Sequence, residues 1–324
     1  MDDLIKHRLS VVVATPAHSG LRGPLTYRSP VPVAPGSLVR VPLGRREVLG
    51  VAWDDAPEPA DAGVQERPIT AVLEGLPPLP APWRRLVGFA SAYYQRGLGE
   101  VALAALPPQL RDLDTTQLAR RLKRKAAAPA APSDAGVPAP EPTEQQQAVL
   151  AAMQAQAGPF LLFGATGSGK TEVYLRAAQR VLDADPQAQV LVMVPEINLT
   201  PQLLERFVAR FGEHQVVPMH SGLTPAQRLR SWLAAHGGQA RIVLGTRMAV
   251  FASLPGLRLV VVDEEHDPSY KQQEGARYSA RDLAVYRGRL EGAQVLLGSA
   301  TPSLESWQAA ETGRYRRLEM PARV

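Results

Sequence analysis

The sequence predicts an α/β fold: a parallel sheet covered on both faces, preceded by a small β-rich unit with short helices. Two patterns predict it. After residue 143, five apolar runs, PFLLF (159–163), VLVMV (190–194), RIVLG (241–245), LRLVVV (257–262) and QVLLG (294–298), alternate with helical periodicity at 172–183, 202–212 and 225–235. Runs of that kind leave no polar face for solvent, so the intervening helices must cover the sheet on both sides. Residues 8–53 read differently: short apolar stretches (LSVVVAT, SLVRVPLGRREVLGVAW) are broken by proline and glycine, as small strands joined by turns would be.

Taken in order, residues 1–110 form the first expected domain. There WRRLVGFASAYY (83–94) places apolar groups at helical spacing and LGEVALAALP (98–107) continues as a second short helix, the pair closing a small core. Residues 111–142 read as a linker. Its first part, RDLDTTQLARRLKRK, carries Arg120, Arg121, Lys123, Arg124 and Lys125, which suit DNA phosphates but read more plainly as a solvated charge run. Its second part, AAAPAAPSDAGVPAPEP, has nothing to bury and reads as a semi-stiff, disordered segment. Residues 143–324 form the α/β domain.

Composition bounds the function. A chain of 324 residues with 45% hydrophobic content can build two or three real cores. The net charge of +5 admits an anionic partner without requiring one. With no cysteine, a disulfide framework and a thiolate zinc site are both excluded from this sequence. No apolar run approaches the ~20 residues of a spanning helix, and MDDLIKHRLS lacks the pattern of a signal peptide. The expectation is a cytoplasmic protein with no membrane partner.

The sharpest motif is Gly164, Ala165, Thr166, Gly167, Ser168, Gly169, Lys170, Thr171, a match to G-x-x-x-x-G-K-[ST] between an expected strand and an expected helix. The glycines let backbone amides turn toward phosphates, Lys170 brings a charge to the outer phosphates, and the Thr171 hydroxyl suits magnesium. No N-K-x-D segment follows, so a guanine-specific switch is disfavoured. At the end of VVVDEEH, Asp263 is placed to hold Mg2+ and Glu264 to polarise an attacking water. The expected ligands are therefore ATP and Mg2+, with Lys170, Asp263 and Glu264 as catalytic candidates.

Three further stretches, VPEINLTPQ (194–202), GTRMA (245–249) and GSATPS (298–303), fall at strand ends on the same edge. Their order resembles superfamily 2 helicases. More narrowly, GATGSGKTEVYL, PEINLTPQ, HSGLTPAQRLRSW, DEEHDPSYKQQEGARYSARDLAVYR and GSATPSLESW resemble the first, RecA-like lobe of the PriA family of primosomal replication-restart helicases. The segments GSLVRVPLGRREVLGV and AYYQRGLGEVALAALP are similar to that family's domain for the 3′ end of a DNA strand.

The resemblance implies ATP at Lys170 and Thr171, adenine reading by Gln145, and DNA contacts or coupling at Thr200, Thr246, Arg247 and Thr301. It also implies DNA contact by Tyr27 and Arg40 in the first domain. In the aromatic-rich run after DEEH, Tyr270, Lys271, Arg277 and Tyr278 combine ring faces and cations, a pairing suited to single strands of any sequence. The plainer readings are a surface helix for Gln145, an ion pair for Arg247 and packing for either tyrosine. Implied partners are forked and single-stranded DNA, other primosome proteins and single-stranded DNA-binding protein.

The sequence departs from the family at several points. Ala276 and Ser279 stand where the family usually carries tryptophan and histidine, and Leu25 and Thr26 replace a phenylalanine and an aspartate before Tyr27. The 111–142 linker stands in place of a winged helix, and the second motor lobe and zinc module lie outside the sequence given. Two functions are therefore expected as alternatives. One is a 3′-to-5′ helicase that in full-length form helps load the replicative helicase, unable to unwind as this chain alone; the other is a DNA-structure-binding scaffold with little ATPase.

Overall fold

In the first unit, β1 (His7–Val13), β2 (Leu25–Ser29), β3 (Leu38–Leu43), β4 (Arg46–Ala52) and the short β5 (Ala71–Val72) form an antiparallel sheet in the order β2-β1-β4-β3-β5. The computed structural model describes residues 7–15, 23–57, 66–113, 115–126 and 140–323. Two compact units divide the chain, 1–131 with 224–230, and 132–223 with 231–324. Val11, Val13, Val39 and Val41 are among the residues of the first core. Helix α1 (Ala81–Tyr93) buries Trp83, Leu86, Val87 and Ala90, the i, i+3, i+4, i+7 stripe of an amphipathic helix. Helix α2 (Leu98–Ala104) lies so close to β1 that a Cβ on Gly99 would sit 1.8 Å from the Val13 carbonyl oxygen. Only glycine permits that approach.

The first part of the expected linker is helical over most of its described residues. A 3-10 turn at Pro108–Arg111 leads to α3 (Thr115–Ala126), and Leu113 and Leu118 are buried. Arg120 and Arg121 of this helix are exposed. The alanine- and proline-rich stretch falls largely on 127–139, outside the described residues.

The second unit begins with α4 (Glu144–Ala155), β6 (Phe160–Gly164), α5 (Lys170–Ala184), β7 (Gln189–Met193), α6 (Pro201–Phe211), β8 (Val216–Met219), the part of α7 (Pro225–His236) from Ser231 onward and β9 (Ile242–Gly245). It continues through β10 (Leu257–Val262), α8 (Ala280–Glu291), β11 (Gln294–Ser299), α9 (Leu304–Glu311) and β12 (Arg316–Met320). The seven strands are all parallel, in the order β12-β6-β11-β10-β7-β9-β8. This is the α/β fold the apolar runs predict. The five central strands coincide with those runs within a residue or two. The edge strands β8 and β12 do not, because Pro218 interrupts one and the other alternates exposed and buried residues. Because every strand points the same way, the loops after β6, β7, β9, β10 and β11 gather on one edge, where ligands bind in open α/β sheets.

Candidate functional site

The loop after β6 turns into α5 through two glycines with left-handed backbone, Gly167 and Gly169, each at φ +83°. Nothing lies within 4 Å of a Cβ added to Gly167, so glycine is needed there for its backbone alone. The turn leaves the first amides of a 15-residue helix aimed at an open cavity of about 590 Å³, lined by residues 165–172 together with Asp263 and Glu264. Lys170 is buried; its Nζ donates to the Gly164 carbonyl at 2.9 Å and lies 3.7 Å from Glu264 Oε1. The Ser168 hydroxyl is buried in the loop without a hydrogen-bond partner among the described residues. An orphaned hydroxyl, a glycine cradle, a helix N-terminus and a lysine fit a polyphosphate.

The loop after β10 carries the acids. Asp263 accepts a hydrogen bond from the Tyr174 hydroxyl at 2.8 Å. Burial pushes its carboxyl above the usual range, with Glu264 adding to the rise and the Tyr174 hydrogen bond and Lys170 opposing it. A carboxylate in that setting gains from a cation. Among the described residues no three His, Asp or Glu side chains form a metal cluster, so Asp263 and Thr171 could hold Mg2+ only with oxygens supplied by the nucleotide or water. Glu264 takes φ +43°, a left-handed conformation uncommon for a non-glycine residue, which points to a functional constraint there.

The other two residues of DEEH serve the scaffold. Glu265, 1% exposed, accepts from Ser303 N at 2.7 Å, Ser303 Oγ at 3.0 Å and Ser306 Oγ at 2.7 Å, which clamps the start of α9. His266 Nδ1 lies 2.8 Å from Ser299 Oγ and Nε2 lies 3.3 Å from Thr301 Oγ1, so the acid loop is tied to the GSATPS segment. Sequence reasoning passed over both, and over Tyr174 and Gln146. In a capping box with Thr143, Gln146 is buried and its Nε2 donates to the Gly169 carbonyl at 3.2 Å. The T-x-x-Q spacing is a legible capping signal. Gln145, the expected adenine reader, instead accepts from Ala322 N at 3.3 Å and is not among the residues lining the cavity.

The expected DNA contacts divide. Thr200 is exposed and caps α6, accepting from Leu203 N at 3.3 Å. Lys271 and Arg277 are exposed in a loop closed by a bridge between Lys271 and Ser279. Four expectations are corrected by burial. Tyr270 is 2% exposed, its hydroxyl donating to the Asp263 carbonyl at 2.6 Å and the Met193 carbonyl at 3.0 Å; it is a buried strut, not a stacking platform. Thr246 is 2% exposed, so its hydroxyl is not at a DNA-facing surface. In the first unit, Tyr27 is buried and donates to the Pro42 carbonyl at 3.0 Å. Arg40 is buried too, its guanidinium committed to the carbonyls of Leu110, Arg111 and Leu113.

Arg247 donates to the Ser269 carbonyl at 3.1 Å, and Tyr278 packs edge-on against Phe251 with ring centroids 5.1 Å apart. These two contacts fasten the aromatic-rich loop to the turn Arg247–Phe251. Burial raises the Tyr278 hydroxyl to about 12, with Arg247 opposing the rise, so the phenol stays neutral. Ser279 caps α8 by accepting from Asp282 N at 3.2 Å.

Fold and site together define an α/β domain whose phosphate-loop motif, acid pair and three strand-end motifs share one sheet edge. The chain belongs to the DEAD/DEAH box helicase family, whose model matches residues 143–310. A second family model, described as 3′DNA-binding domain (3′BD), matches residues 10–107. Similar proteins include the replication restart protein PriA of Bacillus subtilis, 47% identical over 165 residues, 51% of this chain and 20% of that protein. The PriA of Rickettsia felis is 33% identical over 288 residues, covering 88% of this chain and 42% of the relative. That of Treponema pallidum is 35% identical over 298 residues, covering 89% and 43%. The chain thus spans less than half the length of these relatives.

Proposed function

We propose that the chain is the ATP- and DNA-binding portion of a replication-restart helicase of the PriA type. The observation that supports this best is the convergence at one sheet edge of the glycine cradle, Lys170, Asp263 and Glu264, with the GSATPS segment tied to the acid loop through His266. In this reading ATP phosphates lie on residues 164–171, with Lys170 as the charge and Thr171 and Asp263 as the protein's ligands to Mg2+. The metal supplies charge neutralisation on the phosphates. Glu264 takes up a proton from water as the water oxygen bonds to the terminal phosphorus and the bond from that phosphorus to the bridging oxygen breaks, releasing ADP. Lys271 and Arg277 meet the backbone of a single strand, and the first unit engages the 3′ end at a fork. Other primosome proteins and single-stranded DNA-binding protein are the protein partners of this reading, and the cytoplasm its location.

The test is ATP turnover by the complete gene product, with and without forked DNA, beside Lys170→Ala. Hydrolysis stimulated by the fork and abolished by the substitution is expected. A second reading, a fork-binding scaffold with little ATPase, is favoured by Ser279, whose hydroxyl is spent on a helix cap where the family carries a ring. Fork binding without Lys170-dependent turnover selects the scaffold and sinks the motor.

A further inference from the structure

Tyr174 lies four residues after Lys170, on the same face of α5 as the lysine. Its residue is 2% exposed and its hydroxyl donates to Asp263 Oδ1 at 2.8 Å. Two features show that the surroundings are shaped for that contact. The first is Gly298 on β11, where a Cβ would fall 1.9 Å from the Tyr174 hydroxyl oxygen and 2.9 Å from its Cζ. Any side chain there would displace the phenol. The second is the main chain of Asp263, whose N donates to the Met193 carbonyl at 2.8 Å and whose carbonyl accepts from Tyr270 at 2.6 Å. With the backbone pinned at both groups, the orientation of the carboxylate is what remains to be set, and Tyr174 is the hydroxyl that sets it.

We propose that Tyr174 is a positioning residue that orients the Asp263 carboxylate for a divalent cation, with Gly298 reserving the space for its phenol. The inference rests on the reading of Asp263 as the magnesium ligand. A hydrogen-bond donor on one carboxylate oxygen fixes the plane of the group and leaves its other lone pairs for a metal, as outer-shell partners of metal ligands do.

The experiment is equilibrium binding of a fluorescent, non-hydrolysable ATP analogue to the full chain across a Mg2+ titration. Wild type, Tyr174→Phe, Gly298→Ala and the double variant are compared, with thermal unfolding of each. Without Mg2+, wild type and Tyr174→Phe should bind alike. With it, Tyr174→Phe should need roughly ten-fold more Mg2+ to reach half-saturation, and excess Mg2+ should restore binding. Gly298→Ala should also raise the requirement, and should add less when the hydroxyl has already been removed. One shared Mg2+ midpoint for wild type and Tyr174→Phe overturns the inference. So does an equal loss with and without Mg2+ accompanied by a lowered melting temperature, the mark of a merely structural phenol. A wild type whose binding ignores Mg2+ overturns instead the reading of Asp263 on which the inference stands.

Discussion

Replacing Arg40 by methionine separates a structural arginine from a DNA contact. The arginine sits in β3 with 7% of its surface exposed, and its terminal nitrogens donate to three carbonyls of residues 110–113, the Nη2 bond to Leu110 measuring 3.1 Å. Methionine keeps the apolar stem and removes every donor. Each carbonyl left buried without a partner costs ~1–3 kcal/mol, and water entering the gap recovers part of it, so the net loss should be about 3 kcal/mol. For a unit of this size that lowers the melting temperature by roughly 10 °C or more. Hydrogen exchange reads the effect locally: peptides from β3 and residues 108–113 should lose protection while those from α5 and β10 keep theirs. Below the transition, DNA affinity of the folded protein should stay within about two-fold, since no surface cation has been removed. Unchanged protection with weakened DNA binding would refute the reasoning and return Arg40 to the DNA surface.

Further outcomes follow from other buried and exposed groups. Glu66 is held below the usual carboxylate range by hydrogen bonds from Arg8, against an opposing effect of burial, and by a further bond from Arg28. A depressed folded pKa contributes stability above pH 4.5, the ordinary glutamate value, that is lost as pH falls through the folded value. Glu66→Gln should therefore cost about 1 kcal/mol at pH 7, and the gap to wild type should close in acid; a gap independent of pH in denaturant melts contradicts this. Tyr270→Phe should destabilise the second unit by ~1–2 kcal/mol with single-strand affinity unaltered, because the hydroxyl serves two carbonyls; a selective loss of DNA affinity would restore it as a contact. Gly256→Ala should unfold or strongly destabilise the same unit, its Cβ falling 2.0 Å from the Gln187 carbonyl oxygen, and calorimetry showing a loss below ~1 kcal/mol would contradict the close approach. Lys271→Ala with Arg277→Ala should lower single-strand affinity and flatten its salt dependence without moving the melting temperature.

The central strands were legible because burial on both faces writes itself as a continuous apolar run. The edge strands were not, since half of β12 faces solvent and β8 contains Pro218. Spacing alone put Lys170, Asp263 and Glu264 after strand ends on one edge, and the structure brings them to one cavity. Roles that depend on burial could not be read that way. Tyr270 and Arg40 look like nucleic-acid contacts as residue types, yet one ring is a strut under Asp263 and one guanidinium a clamp on backbone carbonyls. Tyr174 gave no sign either, because its partner lies 89 residues away and only the packing of α5 against the strand ends brings them together. The first half of the 111–142 stretch misled for a related reason: its charges dominate the composition, while among the described residues Leu113 and Leu118 are buried and Leu122 is half-buried.

The central claim is that the loop after β6 holds the phosphates of ATP. It is tested most directly by calorimetric titration of ATP with Mg2+ into the chain and into its Lys170→Ala variant. Lys170 is the buried cation at the mouth of the glycine cradle, and a charged hydrogen bond of that kind is worth ~1.5–3 kcal/mol, so the variant should bind at least about ten-fold more weakly with its fold intact. Equal affinity in the two proteins, or no binding by either, contradicts the claim.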